Sequence, residues 1–489
     1  MLLSNSGYML YILDRIIDII YFFLFFQQRN RKSKQTTLQS CLKSIKGEKV
    51  FPIDAEYTSD IIDANTRVTF KPAVIIYVAN INDIQISVKC ATKLQTGIIA
   101  RSGGHSYEKY STGGRDGVIV VDVTNLNGIS INSKKKTAVI GAGNRLGPIY
   151  YNLSQKGFLI PAGSCPSIGI AGHALGGGYG FYGRKFGLAS DNIISIDMIN
   201  AEGNLTTANA KQNSDLFFAL RGAGGGSYGI VTSITFKLSP IPEIVTSFIF
   251  DYNISNVQQV FDAVHKFGAK LTKDVTFAVV ISSTEFQLLG TYLGNNQSAR
   301  ETMQDITTST NPSAQFIEES FFESVVRWSY VSVDAVRDPF YNSSSFKAKS
   351  FFVKLPGLSK AGIQSITNFI QNQPCSSFAM FDLFGGGAVN SIAPNATAFV
   401  HRDELYGIQL YSTLTGQVDV CLNNLKSFGV EFQKNYTSQF SYQNYIDRDL
   451  VGWKHKYYGS NFRRLVNIKS KYDPENLFSF PQSIPVKEN

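Results

Sequence analysis

The chain has 489 residues, too many for one ordinary core, so two or three domains are expected. A hydrophobic share of 43% with 13% aromatics excludes a largely disordered protein. The net charge of +9 is spread out, apart from "RNRKSK" (29–34) and "SKKK" (133–136), and no zinc-finger, helix-turn-helix or RNA-binding signature accompanies it, which excludes nucleic acid as an expected partner.

In chain order, residues 8–26, "YMLYILDRIIDIIYFFLFF", are apolar except for Asp14, Arg15 and Asp18. Three charges are costly in a spanning helix, and the run from Ile19 to Phe26 is too short to cross a bilayer. A basic start and a small-residue cleavage site are lacking. Residues 1–35 therefore read as an unusual secretory leader or membrane anchor with a basic flank, or as an untargeted extension.

From Lys71 the chain alternates strand-like and helical runs: "AVIIYVA" as a strand, "NDIQISVKCATKLQ" as a helix, then "GIIARSGG", "GVIVVDVT" and "TAVIGAG" as strands. "IISIDMI", "NAEGN" and "LTTAN" predict a hairpin, and "GIVTSITFKL" closes a mixed α/β region, residues 36–242. Four glycine-dense stretches fall inside it: "RSGGHSY" (101–107), "GAGNRLG" (141–147), "GSCPSIGIAGHALGGGYG" (163–180) and "RGAGGGSYG" (221–229). Glycine lets backbone amides approach an anion, so repeated clusters point to a phosphate-bearing cofactor. In "GAGNRLG" the last glycine is one residue too late for a dinucleotide fingerprint. No G-K-[ST] follows any cluster, which excludes a P-loop.

Beyond Pro240 and Pro242 the texture changes. "VTSFIFDYN", "VTFAVVISST", "FQLLGTYLG" and "SFKAKSFFVKL" read as antiparallel strands, with helices at 256–272 and 358–372, so 243–440 is expected to be a second domain. In 441–489 a helix is predicted from Asn461 to Tyr472, stopped at Asp473-Pro474 and returning to the first domain.

Five cysteines, at 41, 90, 165, 375 and 421, fit no metal spacing, and no metal is expected. The odd number leaves at least one thiol for another task. Sequons at Asn152, Asn204, Asn253, Asn296, Asn342, Asn395 and Asn435 are compatible with a secreted glycoprotein.

The stretches "ARSGGHSYEKYSTGG", "PAGSCPSIGIAGHALGGGYGFYGRKFGLASDNI", "DLFFALRGAGGGSYGIVTSITFKL", "SYQNYID" and "YYGSNFRRLVNIKSKYDPENLFSFPQSIP" together resemble the berberine bridge enzyme-like oxidases of the vanillyl-alcohol-oxidase superfamily. The resemblance spans about Cys41 to Pro485. It implies an α+β chain: a PCMH-type FAD-binding domain of two α/β subdomains, plus a substrate domain with a large antiparallel sheet flanked by helices. It implies bicovalent FAD, held through His105 to the flavin 8α methyl and through Cys165 to flavin C6. Two such links raise the flavin potential and leave the site open to bulky substrates. Arg101, Ser102, Gly103, Gly104, Ser106, Gly172, His173, Gly176 and Ile230 are expected around FAD, with Tyr458 and Asn461 closing it from the tail. Glycines around His173 suit a backbone wrapped on the cofactor better than a metal site. The same resemblance pairs Cys41 with Cys90, leaving Cys375 and Cys421 unassigned.

Flavin-dependent alcohol oxidation needs a base for the hydroxyl proton. By the resemblance that base is Tyr445. A phenol titrating near pH 10 is a weak base, so a neighbour must lower its pKa or take its proton; Asp382, in "FDLFGGG", matches that partner. Tyr107, Tyr442 and Gln409 are expected to meet substrate, Ile168 to govern oxygen access, and His401 and Arg402 to be structural. The expected activity is oxidation of a small molecule, foremost the anomeric hydroxyl of an oligosaccharide to a lactone, with O2 or another acceptor taking the electrons, in a monomer of the secretory pathway. The alternatives are a secondary-metabolite oxidase or dehydrogenase of the same family, a nicotinamide-dependent dehydrogenase, and a non-catalytic protein retaining the fold.

Overall fold

The computed structural model describes residues 37–340 and 343–488, so the apolar segment at 8–26 and the Asn342 sequon lie outside the described residues. No helix among the described residues is long and apolar enough to cross a membrane.

Val74–Tyr77, Ile119–Asp122 and Ile98–Arg101 run parallel in that spatial order, with Glu48–Val50 antiparallel at one edge. Strands buried on both faces read as continuous apolar runs: Val74 and Ile76 enter one core cluster and Ile75 another. The helix Ile81–Lys93 starts where the Asn80 side chain accepts from Asp83 N. It buries Ile84, Val88 and Ala91 in that first core.

A second sheet follows in the order Ile129–Asn132, Thr137–Gly141, Ile230–Lys237, Ile193–Ile199, Leu205–Asn209, all antiparallel. Its last pair is the expected hairpin, and its inner face shares the same core.

The third large sheet has seven antiparallel strands in the order Ser313–Glu319, Val245–Asp251, Phe286–Tyr292, Val275–Ser282, Ser377–Leu383, Glu404–Thr413, Phe346–Lys354. Side chains alternate across it. Phe277, Val279, Ile281, Ala379, Phe381, Leu383, Ile408 and Leu410 pack with the helices Val257–Phe267, Lys360–Gln371 and Val418–Tyr436. Met380, Asp382, Gln409 and Tyr411, one residue out of phase, face the opposite way into a cavity.

Three of these strands are not among those expected from the sequence. "SAQFIEE" is a polar edge strand, exposed from Ser313 to Gln315, and lacks an apolar stripe. "SFAMFDL" and "ELYGIQLYST" carry polar residues on the cavity face, where burial does not select for hydrophobes. The helix expected at 256–272 spans Val257–Phe267, because Gly268 begins a separate 3-10 turn, Gly268–Lys270. Cys41 is bonded to Cys90 as the resemblance implied, and Cys375 is bonded to Cys421. Cys165 is the free cysteine among the described residues.

A buried ion network joins the parts. Lys347 Nζ lies 2.5 Å from Glu108 Oε1 and 2.5 Å from Asp447 Oδ1, and Lys349 Nζ lies 2.6 Å from Asp447 Oδ2. Arg67 and Arg448 also contact Glu108. Burial alone would raise the Asp447 carboxyl, but Lys347 and Lys349 outweigh it and hold Asp447 below its ordinary range. Lys347→Met leaves two buried carboxylates undercompensated, which costs about 3–5 kcal/mol by analogy with broken buried pairs. The expected readout is a clearly lowered thermal midpoint of the holoprotein, with a much smaller change in the exposed-pair variant Lys185→Met.

Candidate active site

Arg101 ends its strand with the side chain turned away from the loop that follows, Nε 2.5 Å from Asp122 Oδ2 and NH1 3.8 Å from Asp63 Oδ1. That anchors the base of the 102–106 loop. A Cβ on Gly103 would stand 2.1 Å from Gly169 N, so the two glycine loops touch backbone to backbone and only glycine fits there. Ser102 Oγ donates to Ala142 O at 2.6 Å. The contact brings His105 and Cys165 to one wall: Ser167 Oγ lies 2.9 Å from His105 Nε2 and 3.4 Å from Cys165 Sγ.

His173, on the short helix Ile170–Leu175, accepts from Gly163 N at 2.9 Å through Nε2. Burial pushes both His105 and His173 down to about 4, so both rings are uncharged at neutral pH. A Cβ on Gly172 would meet nothing within 4 Å. These loops and the polar face of the seven-stranded sheet enclose about 490 Å³, a volume suited to a cofactor or ligand.

The far wall holds the ionisable groups. Tyr445, in the turn Gln443–Tyr445, stacks on Tyr107 with ring centroids 5.2 Å apart and planes 13° from parallel. Tyr179 packs edge-on against Tyr445, with ring centroids 6.1 Å apart and planes at 78°, and both line the cavity with Asp382. Burial pushes the Asp382 carboxyl up to about 7, against the lowering effect of Tyr179, and Oδ2 is buried with no hydrogen-bond partner among the described residues. Tyr445 is raised well above its usual value, by burial first and by the Asp382 charge second, while Tyr179 opposes the rise. Of the two parts open to Asp382, lowering the Tyr445 pKa is therefore excluded by sign, since a carboxylate disfavours a phenolate. Accepting its proton remains.

Of the residues singled out in the sequence, Ser102, Gly103, Gly104, His105, Ser106, Tyr107, Cys165, Ile168, Gly172, His173, Asp382, Gln409, Tyr442 and Tyr445 line this one cavity. Gln409 Nε2 donates to Tyr107 OH at 2.5 Å. The Tyr442 hydroxyl accepts from Gly178 N at 2.8 Å and Asn444 Nδ2 at 2.9 Å, and its ring sits in an aromatic cluster with Tyr179 and Phe399.

Arg101, Gly176, Ile230, Tyr458 and Asn461 are not in the lining. Gly176 packs against the Asn444 side chain, and Ile230 is wholly buried between the lining residues Gly229 and Val231. Tyr458 OH donates to Ala223 O at 3.0 Å, and Asn461 Nδ2 to Pro394 O at 2.8 Å, pinning loops behind the wall. Arg402 makes two bonds to Asp191 at 2.7 and 2.8 Å, the structural part expected of it. Tyr179 and Ser167 were missed. Both lie inside the 163–180 stretch, whose recognisable pattern is its glycines and Cys165.

A family profile described as "FAD binding domain" matches residues 72–209, and one described as "Berberine and berberine like" matches 441–485. The chain is 32% identical to Berberine bridge enzyme-like D-1 of Nicotiana tabacum over 85% of its own length and 83% of that protein's. It is 30% identical to the chitooligosaccharide oxidase of Gibberella zeae, over 93% and 96% of the two chains. The solved structure of BBE-like 1 from Physcomitrella patens superposes with a TM-score of 0.89 at 38% identity, covering 92% of this chain and 100% of that one.

Gly172→Leu tests the cavity directly. Its side chain has open space to enter, so the variant is expected to fold, yet its ratio of flavin to protein absorbance is expected to fall well below that of the parent.

Proposed function

The chain belongs to the berberine bridge enzyme-like, PCMH-type FAD-linked oxidoreductases, and we propose that within this family it oxidises the anomeric hydroxyl of an oligosaccharide to a lactone, on FAD attached through both His105 and Cys165. The observation that carries the reading is the grouping of Tyr445, Tyr179 and Asp382 on the far wall of a glycine-lined cavity, with the Asp382 carboxyl raised to about 7. The residues present suit FAD: Gly172 leaves space that any side chain would fill, and the free thiol and a neutral imidazole stand together on one wall. When bound, FAD supplies the two-electron acceptor.

The protein's own residues handle the proton and the orientation. Tyr445 takes the substrate hydroxyl proton as it releases its own to Tyr179, and Tyr179 passes one to Asp382. A carboxyl near 7 suits that acceptor, because proton transfer is most efficient when the pKa lies near the working pH. The parallel rings of Tyr107 and Tyr445, with Gln409 holding the Tyr107 hydroxyl, offer a flat face and a polar edge to a sugar ring. Ile168 lines the same cavity close to Cys165, where its bulk would restrict the approach of oxygen. Oxygen is the proposed acceptor, with hydrogen peroxide as product. A second reading, oxidation of an aromatic secondary metabolite, is favoured by the lining of Phe346, Met380 and Tyr411 around that platform. Two disulfides suit an oxidising compartment, and a secretory location is proposed on that ground.

Peroxide release with a panel of cello-, xylo- and chitooligosaccharides against aromatic alcohols tests the substrate class. Lactone-forming turnover on the sugars supports the first reading, and turnover confined to the alcohols supports the second.

Tyr445→Phe is expected to lower kcat by about 10²- to 10⁴-fold, the range for loss of a general base, with the flavin still bound. Asp382 accepts a proton only when ionised, so kcat/KM is expected to rise with pH through about 7 and level off above it. Asp382→Asn removes that limb. The same raised carboxyl favours the folded protein most below its ordinary value of about 4, a contribution lost as pH climbs through about 7.

A further inference from the structure

Ser167 is the residue on which the two attachment side chains converge. Its Oγ is 2.9 Å from His105 Nε2 and 3.4 Å from Cys165 Sγ, and the residue is only 4% exposed. The backbone on either side is pinned, with Gly147 N donating to Pro166 O at 3.0 Å and Leu146 N to Ile168 O at 3.0 Å. A hydroxyl both accepts and donates, so the three side chains form one line that can run S–H to O–H to N or the reverse. The thiolate, not the thiol, is the nucleophile, and an ordinary thiol with a pKa of about 8.5 is only about 3% ionised at pH 7.

On the reading that FAD is attached at both residues, we propose that Ser167 is the proton relay that makes Cys165 a nucleophile, its Oγ accepting the thiol proton while its own passes to His105 Nε2. One bond forms, from sulfur to flavin C6. The S–H and C6–H hydrogens leave as protons, and the electron pair of the C6–H bond reduces the ring. Both electrons and both protons then pass to molecular oxygen as hydrogen peroxide.

His105 enters this step uncharged, because burial, then Arg145, then His173 hold its ring down to about 4. From the other loop, His105 and Tyr107 line the cavity with Cys165. Attachment of His105 through its other ring nitrogen leaves Nε2 with no hydrogen to give. The line then runs only from sulfur towards nitrogen. Ser167 is thus a positioning residue for cofactor assembly, acting through Cys165 and not on the substrate.

Peptide masses and the flavin absorbance spectrum of purified holoprotein test this without any activity measurement. The parent should carry flavin on both peptides. Ser167→Ala should keep flavin on the His105 peptide and lack it on most of the Cys165 peptide. Incubated in air, that variant should complete the Cys165 bond faster at pH 9.5 than at pH 7, because the thiolate and not the thiol is the nucleophile. Ser167→Thr should restore full attachment. Should Ser167→Ala fail to accumulate folded, Ser167→Thr against Ser167→Val, matched in shape and differing in the hydroxyl, makes the same comparison. Full Cys165 attachment at pH 7 in the hydroxyl-free variant overturns the relay, as does a deficit that high pH does not repair. A parent protein with no flavin on Cys165 overturns the double-attachment reading itself.

Discussion

Lys347 holds the molecule's working parts in register. Its ammonium group, almost without exposure, binds Glu108 and Asp447 at once. Glu108 follows Tyr107 on the loop that carries His105, and Asp447 lies two residues past Tyr445 in the C-terminal segment. Lys347 itself belongs to the edge strand of the seven-stranded sheet. One buried cation therefore ties three distant stretches of chain together, and the Tyr107–Tyr445 stack is the local result. Charges taken out of water in this way stabilise little on balance, but they penalise any arrangement in which the partners separate. That suits a site assembled from separate layers.

The seven-stranded sheet meets two demands through its two faces. One face supplies apolar residues to the helical layer, and the other presents Asp382, Gln409 and their neighbours to the cavity. Because alternation has a period of two, a slip of one residue would exchange core and site. The polar face also explains the chemistry of Asp382. Enclosed beside tyrosines and with no cation among the described residues in contact, its carboxyl is raised into the neutral range, where it can take up and release protons.

Glycine serves the opposite wall. Gly103 against Gly169 is a contact between two backbones, and the closeness it permits sets His105, Ser167 and Cys165 within one hydrogen-bonded group. Cys165 stays free because the other four cysteines pair with one another. Its hydrogen-bonded neighbour is Ser167, which also meets His105.

Much of this was legible in the chain itself. Long motifs marked the family, the run of Val and Ile marked the buried parallel strands, and the odd cysteine count marked a thiol with a separate task. Local patterns survive in sequence because each depends on neighbours a few residues away. The Cys375–Cys421 bridge, the polar edge strand Ser313–Glu319 and the Tyr179 link had no such local trace. Nor did the sign of the Asp382 effect on Tyr445, which depends on the two groups being buried near one another. Sequence alone determined the kind of cofactor and which side chains were candidates to hold it. Tertiary structure decided which of them share a cavity and which, like Arg101 and Tyr458, brace its walls, because distance and desolvation are set by residues hundreds of positions apart.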